Sequence, residues 1–242
     1  MKRLLVATFA ICLFSTLAGA EWVKINGPAT KVTVLESGPE RTLLEVLPGG
    51  FTIERVDIAG NKHAVIDMPG AAPLLETGSP SLPFLASSVI IPDRQNVELR
   101  VVEAETFTLA ADPVVPSKGN LYRNVDPAKV PYSFGPAYAN DVLFPESQAK
   151  LSDPFIMRDF RGVTVRFYPV RHNPVKGTLE VVKRLVVEIV PAKGVAANPF
   201  NRSKGSINRE FLPIYQNLFV NFSAQAVRYD TLSEAGLKML II

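Results

Sequence analysis

The residues Pro116-Ser117-Lys118-Gly119-Asn120-Leu121-Tyr122-Arg123 open a stretch that runs to Gly162 and shows neither a strand period nor a helix period. Its prolines remove backbone donors and restrict the residues that precede them. A loop of more than about 15 residues without regular structure is usually functional or disordered, and the many aromatic residues here argue against disorder. The sequence therefore predicts an ordered working loop that displays basic side chains, among which Arg123 is the most interesting.

Short strand patterns flank this loop on both sides. Six precede it, at residues 31–35, 42–47, 51–58, 62–68, 97–102 and 107–109, and two follow it, at 163–168 and 179–189. Runs of this length between Gly, Pro and Asn clusters are typical of antiparallel strands. In the strand at 97–102, the alternation predicts one buried face. Further on, residues 192–208 read as a linker or exposed loop, and the apolar spacing at 211–220 predicts a short amphipathic helix.

The first twenty residues have the pattern of a secretory signal peptide. A basic start is followed by an apolar run at residues 4–17, and Ala18-Gly19-Ala20 precedes Glu21. This order predicts cleavage between Ala20 and Glu21, and the apolar run is too short for a membrane span. We therefore expect a protein exported to the periplasm or cell surface, with no stable membrane anchor.

Composition limits what the exported chain does. Removal of Lys2 and Arg3 lowers the net charge from +3 to +1, with 24 basic and 23 acidic residues, which argues against nucleic-acid binding. The single cysteine, Cys12, leaves with the signal peptide, so none of these residues supplies a cysteine nucleophile. An exported domain without disulfides depends on a hydrophobic core, and about 220 residues are enough for one.

The sequence shows no recognisable arrangement of catalytic residues. The sequence has no metal-ligand cluster, Gly-rich phosphate loop or nucleophile elbow. The two histidines are isolated: His63 reads as a surface or edge-strand residue and His172 as a turn residue between strands. We therefore expect no catalytic residue, no metal site and no cofactor here. The apolar run at 237–242 reads as the first strand of a further domain. An exported β-domain with a basic loop, a linker and the start of another domain has the layout of a propeptide ahead of a hydrolase.

Several motifs resemble the prodomain of gingipains, which are secreted bacterial cysteine peptidases with a caspase-like catalytic fold. The similarity covers about residues 75 to 242. The motifs are Gly78-x-Pro80-x-Leu82-Pro83, Pro116-Ser117-Lys118-Gly119 with Arg123, Asp126-Pro127, Val130-Pro131-Tyr132, Phe144-Pro145, Leu151-Ser152-Asp153-Pro154, Arg158-Asp159, Arg161-Gly162, Asn173-Pro174-Val175 and Arg228-Tyr229.

The resemblance implies a fold and a partner. The fold would be all-β, an antiparallel β-sandwich of jelly-roll type, followed by the first strand of a truncated α/β caspase-like domain. The domains would be a signal peptide at 1–20, the propeptide at 21–228 and the start of the peptidase at 229–242. The propeptide would assist folding of the cognate cysteine peptidase catalytic domain in cis and keep that domain latent.

The resemblance also implies roles for basic residues. Arg123 would enter the S1 pocket of the peptidase, with Lys118 as the alternative if the parent enzyme prefers lysine. The junction would be cut after Arg228, leaving Tyr229 as the first mature residue.

The charged residues at the end of the loop have two readings. Arg158 and Arg161 are expected to pair with Asp153 and Asp159 and hold the loop in shape; the alternative is direct contact with an acidic patch on the enzyme.

A different function remains open at this point. The chain could be a free-standing secreted β-sandwich that binds a surface glycan or protein, because β-sandwiches host many functions. The single tryptophan, Trp22, and the lack of an evident aromatic platform argue against sugar binding.

Overall fold

The computed structural model describes residues 19–201, 207–223 and 232–233, and within them the chain is almost entirely β-structure. Among these described residues, short 3-10 helices (Pro127–Lys129, Pro136–Ala139 and Arg209–Phe211) and the α-helix Leu212–Leu218 interrupt the strands. The regular elements are β1 (Glu21–Lys24), β2 (Lys31–Ser37), β3 (Thr42–Leu47), β4 (Gly50–Ile58), β5 (Asn61–Asp67), β6 (Ala72–Pro73), β7 (Pro83–Ile90), β8 (Asn96–Ala110), β9 (Ala149–Leu151), β10 (Phe155–Met157), β11 (Phe160–Phe167), β12 (Val170–Asn173), β13 (Thr178–Ala192), β14 (Ile207–Asn208), α1 (Leu212–Leu218) and β15 (Leu232–Ser233).

The strands form three antiparallel sheets that share one hydrophobic core. One sheet has the order β12-β13-β3-β2 with β8 also paired to β13, a second has the order β10-β11-β7-β6 with β9 on β11, and the third is β1-β4-β5. The fully buried core side chains come from all three sheets. This packing of sheet faces against each other confirms the expected antiparallel β-sandwich. The short pair β14 and β15 is parallel.

The alternation of side chains explains why these strands form where they do. In β3, Thr42, Leu44 and Val46 are buried while the residues between them are only partly covered. Its neighbour β13 buries Leu185, Val187 and Ile189, as the sequence predicted. Alternation of this kind puts every second side chain on the core face of a sheet. The sequence therefore predicted these two central strands with nearly correct bounds.

Strand β8 differs from the sequence prediction. Residues 97–102 and 107–109 read as two runs, but they lie in one 15-residue strand, Asn96–Ala110, which pairs with β13 along its length. A register shift between Val186 and Val187 leaves Val102 as an extra residue, and Val102 is 56% exposed. Because a bulge inserts one residue, it breaks the two-residue period. The predicted buried face is also only partly covered, since Val101 is exposed.

The working loop is shorter than the sequence indicated. It spans residues 111–148, and the remaining residues to Gly162 contain β9, β10 and the start of β11. The first two of these strands have only three residues each, and they are separated by Pro154, so no period is visible in the sequence. Arg158 at the β10–β11 turn has a positive φ of 52°, which a sequence pattern does not reveal.

The C-terminal helix has its own core. Ile90, Phe160, Tyr215, Phe219 and Phe222 pack together with Ile207, so the α1 region packs against β7 and β11 of the second sheet. The predicted amphipathic helix is confirmed by this packing. Among the described residues, no helix has the length and apolar character needed to cross a membrane.

Candidate functional site

The loop at 111–148 is attached to the sandwich at both ends. At its start, the Ala64 amide donates to Pro113 O and the Val115 amide to Ala64 O, both at 2.9 Å. At its end, Phe144 and His172 exchange two backbone hydrogen bonds of 2.8 Å. The segment between these points is therefore held in one position by the β-structure.

Contacts in the middle of the loop fix it further. The Ser117 amide donates to Ser79 O at 2.8 Å, and the Gly78 amide donates to Ser117 O at 2.9 Å. The Gly135 amide donates to Gly78 O at 2.8 Å, and Tyr138 Oη donates to Val114 O at 2.7 Å. The prediction of an ordered loop is confirmed by this network.

Arg123 occupies the tip of a tight turn within this loop. The Val125 amide donates to Tyr122 O at 3.0 Å, so Arg123 and Asn124 are the two central residues of the turn. Arg123 is exposed, and its neighbour Tyr122 is 83% exposed. Across the described part of the chain, the Arg123 guanidinium forms no hydrogen bond or ion pair. All five of its donors are therefore available to a partner.

Lys118 has a different environment. Its Nζ donates to Pro127 O at 2.7 Å and lies 4.1 Å from the centroid of the Tyr132 ring. The Ser117 hydroxyl next to it accepts a hydrogen bond of 3.1 Å from the Gly119 amide. Lys118 is thus engaged within the loop, whereas Arg123 is not.

Arg158 and Asp159 lie at the β10–β11 turn and contact the C-terminal helix region. Arg158 Nε is 3.6 Å from Asp159 Oδ2, and its guanidinium lies 4.0 Å over the Phe211 ring. Tyr215 Oη donates to Asp159 Oδ2 at 2.5 Å. Burial, reinforced by the Asp159 carboxylate, raises the pKa of Tyr215. Asp153 is exposed, and no ion pair joins it to another described residue.

Arg161 does not pair with Asp153 or Asp159, which corrects the sequence prediction. The side chain is fully buried (0% exposed) and donates only to backbone carbonyls. Its acceptors are Pro92 O at 2.5 Å, Gln95 O at 2.9 Å, Ala197 O at 2.7 Å and Asn198 O at 3.0 Å. Burial lowers the pKa of Arg161, and Asp93 opposes that shift. Arg161 therefore links segment 92–95 to segment 197–198 inside the domain.

Residues 192–201 consequently do more than connect two parts of the chain. Ala197 and Asn198 supply carbonyls to Arg161, and Phe200 is buried with its amide donating to Asp93 O at 2.8 Å. The predicted exposed loop is confirmed for residues 193–199, which are irregular and mostly exposed, but the segment also covers a buried cation. Residues 202–206 lie outside the described part.

His172 was missed as a buried residue. It lies in β12 and is 0% exposed, and neither ring nitrogen has a hydrogen-bond partner in the described structure. Burial lowers its pKa to about 4. The prediction of a turn residue is wrong, and the signal that could have found it is the two-residue spacing from the apolar Val170. The other histidine, His63, is also buried, in the edge strand β5, with Nδ1 2.9 Å from Asn61 O.

The two predicted processing points differ in what the structure describes. Ala20 is exposed, and Glu21 is the first residue of β1, where it pairs with Ile53. Residues 1–18, Arg228, Tyr229 and the apolar run at 237–242 lie outside the described residues. Within the described ranges, no three His, Cys, Asp or Glu side chains are grouped as metal ligands would be.

Fold and loop together define a class of domain: a β-sandwich that presents an anchored, arginine-tipped loop on its surface. The chain belongs to the Propeptide_C25 family, whose model matches residues 24–228. The resemblance to gingipain prodomains is thereby confirmed, and the match begins well before residue 75, where the recognisable motifs start.

Similar proteins come from Porphyromonas gingivalis. Gingipain R2 is 35% identical over 167 residues, which cover 69% of this chain and 22% of that protein. Lys-gingipain is 23% identical over 196 residues, which cover 78% of this chain and 11% of that protein. The chain thus spans about a fifth or less of the length of these relatives.

Two solved structures share the fold. A chain in the complex of P. gingivalis RgpB pro- and mature domains matches with a TM-score of 0.73 and 28% identity, covering 80% of this chain and 97% of that one. A structure on the zymogenic latency of gingipain K, also from P. gingivalis, matches with a TM-score of 0.61 and 20% identity, covering 73% of this chain and 100% of that one. At that identity the second match shows the fold alone. Residues 24–228 are thus a propeptide of the gingipain type.

Proposed function

We propose that residues 21–228 assist folding of a gingipain-like cysteine endopeptidase and keep it latent by placing Arg123 in its S1 pocket. The observation that carries this proposal is the position of Arg123 at the tip of an exposed turn, on a loop anchored at both ends. The partner would be the catalytic domain in cis. The RgpB complex of pro- and mature domains supports such an association.

The chemistry of arginine recognition supports this role. A pocket for arginine needs a carboxylate that accepts two parallel charge-assisted hydrogen bonds, and the planar guanidinium presents the matching donors. Because the Arg123 guanidinium forms no hydrogen bond or ion pair with the described residues, it gives up none of these on entering the pocket. Truncation of such an anchor typically costs about 2 to 4 kcal/mol of binding free energy.

The turn offers a reason why Arg123 inhibits without being cut. A peptide that binds a cleft as an added strand uses its main-chain N–H and C=O groups for intermolecular hydrogen bonds. Here Tyr122 O and the Val125 amide are bonded to each other across Arg123 and Asn124. The side chain therefore reaches a pocket while the following peptide bond stays in a turn.

Among the two basic candidates, the contacts favour Arg123. Lys118 would have to give up its hydrogen bond to Pro127 O and its position over the Tyr132 ring before it could reach another domain. Arg158 and Asp159 contact the C-terminal helix region, so we assign them to internal support. Asp153 is exposed and is the member of that group best placed for contact with an enzyme.

Export and release complete the proposal. Cleavage between Ala20 and Glu21 would free the chain in the periplasm or at the cell surface and leave β1 intact, since Glu21 is its first residue. Cleavage after Arg228 would separate the propeptide from a peptidase domain that starts at Tyr229. N-terminal sequencing of the processed forms checks both positions; Arg228→Gln is expected to block the second cut.

The test of the S1 role measures inhibition of mature RgpB by residues 21–242. We expect Arg123→Ala to raise the inhibition constant about thirtyfold or more, which corresponds to the low end of the anchor range. Lys129→Ala is the matched control, because Lys129 is an exposed cation of the same loop, and it is expected to change the constant less than twofold. Equal inhibition by the wild-type chain and Arg123→Ala would exclude Arg123 as the pocket residue.

A further inference from the structure

We infer that Lys118 is a positioning residue: its side chain closes the base of the Arg123 lobe, residues 118–127, and this closure protects the Arg123–Asn124 bond from the peptidase. The inference rests on the proposed function of Arg123. It concerns hydrolysis in which water adds across that bond, giving a carboxylate on Arg123 and an amino group on Asn124. Lys118 acts on the loop and has no contact with the reacting atoms.

The closing contact joins the two ends of the lobe. Lys118 Nζ donates to Pro127 O at 2.7 Å across nine residues of chain, and the same ammonium lies over the Tyr132 ring at 4.1 Å. A hydrogen bond from an ionised donor is stronger than one between neutral groups, and the ring face attracts the same charge. Both interactions hold the C-terminal end of the lobe, at Pro127, against its N-terminal end, at Lys118. These two ends are called its second and first stems.

The first stem is itself fixed to the sandwich. The backbone of Ser117 is hydrogen-bonded on both sides to the segment Gly78–Ser79. Gly119 has a φ of +79°, and a Cβ at this position would come within 2.2 Å of Thr77 Oγ1. Glycine adopts this positive φ without strain and leaves room for Thr77, so the first stem has a fixed conformation. The hydrogen bond from Lys118 then joins the second stem, at Pro127, to this fixed segment.

Between the stems, the lobe is internally bonded. The Val125 amide donates to Tyr122 O within the lobe, and at its C-terminal end Asp126 Oδ1 accepts at 2.9 Å from the amide of Ala128, the residue that follows the lobe. To be cut as an extended substrate, the lobe would have to lose the Tyr122–Val125 bond and lengthen between its stems. With the stems tied together by Lys118, that extension is opposed. Preorganisation of a bound loop also improves affinity, since less freedom is lost on binding.

The test combines two measurements on residues 21–242 incubated with mature RgpB. Lys118→Met keeps a flexible, unbranched side chain but removes the donor and the charge. We expect it to raise the inhibition constant about fivefold or more and to speed cleavage of the Arg123–Asn124 bond at least tenfold, as followed by mass spectrometry of the fragments. Lys118→Arg, which keeps a charged donor, is expected to restore most of the protection.

Control variants distinguish loss of the Lys118 closure from loss of the fold and from loss of the S1 role. Lys129→Met removes a charge from the same loop and is expected to change neither measurement, and hydrogen exchange at the Val125 amide should accelerate only in Lys118→Met. The double variant Lys118→Met/Arg123→Ala should not be cut at position 123. Unchanged cleavage and unchanged Val125 exchange in Lys118→Met would overturn the inference that Lys118 closes the lobe, even if Arg123→Ala weakens inhibition. If Arg123→Ala leaves inhibition unchanged, the proposed function itself fails.

Discussion

Two proline-containing loops of this domain place an arginine in opposite environments, one exposed and one buried. The loop at 111–148 leaves Arg123 exposed at the tip of a turn, with no partner in the described structure. The segment at 192–201 helps to bury Arg161, which donates to four backbone carbonyls. The difference shows that the surrounding carbonyls decide whether a cation supports its own domain or is available to another.

The largest effect is expected from the buried arginine. Arg161→Ala leaves four carbonyls without their donor and opens a cavity, so we expect the free energy of unfolding to fall by about 3 to 5 kcal/mol. Urea denaturation of residues 21–242 measures the change. Arg161→Lys keeps the charge with fewer donors and should lose less. A loss below about 1 kcal/mol for Arg161→Ala would contradict the structural role given to these bonds.

The second effect concerns the far end of the Arg123-bearing loop, where His172 pairs with Phe144. The folded pKa of His172, about 4, lies below its ordinary value of 6.5, so the unfolded chain binds more protons between these values. Stability contributed by the neutral ring is therefore present above pH 6.5 and lost as the pH falls toward 4. The expected loss between pH 7 and pH 4.5 is about 2 to 3 kcal/mol.

A neutral variant isolates the His172 contribution. The charged groups of the neighbouring strands and turn are paired with each other, Arg171 with Glu180 and Lys176 with Asp141. His172→Gln leaves these pairs in place, so its stability should fall less than that of the wild-type chain over the same pH range. Denaturation curves at several pH values compare the two. Parallel pH profiles would show that His172 does not control the acid sensitivity of this end of the loop.

The smallest effect is expected at the exposed arginine. Because Arg123 is exposed and its guanidinium forms no hydrogen bond or ion pair within the described residues, Arg123→Ala should change the free energy of unfolding by less than about 0.5 kcal/mol. Thermal denaturation beside Arg161→Ala gives the contrast directly. A destabilisation above about 1 kcal/mol would mean that Arg123 supports its own domain, and the comparison between the two loops would no longer hold.

The sequence predicted most of the sandwich, because a two-residue period is visible wherever a strand is regular. Strand β3 has the predicted bounds, and β13 extends the predicted run by a few residues. The period fails at the bulge in β8 and in the three-residue strands β9 and β10, where too few residues alternate. Local pattern therefore identifies strands but not their irregularities.

The site was predicted only in outline for a related reason. The motifs identified the loop and nominated Arg123, but Arg161 was expected to pair with nearby carboxylates. Its real acceptors are backbone carbonyls of residues that are far away in sequence, namely Pro92, Gln95, Ala197 and Asn198. The contacts of Lys118 with Pro127 and Tyr132 likewise depend on how the loop closes. Such partners are set by tertiary structure and leave no periodic signal.

The central claim is that Arg123 binds a carboxylate in the S1 pocket, and a double-mutant cycle tests it most directly. Arg123→Ala would be combined with an amide in place of the S1 carboxylate of mature RgpB, and binding measured for all four pairs. A direct charge pair predicts a coupling free energy of about 1.5 kcal/mol or more. Additive effects of the two substitutions, with no coupling, would contradict the account.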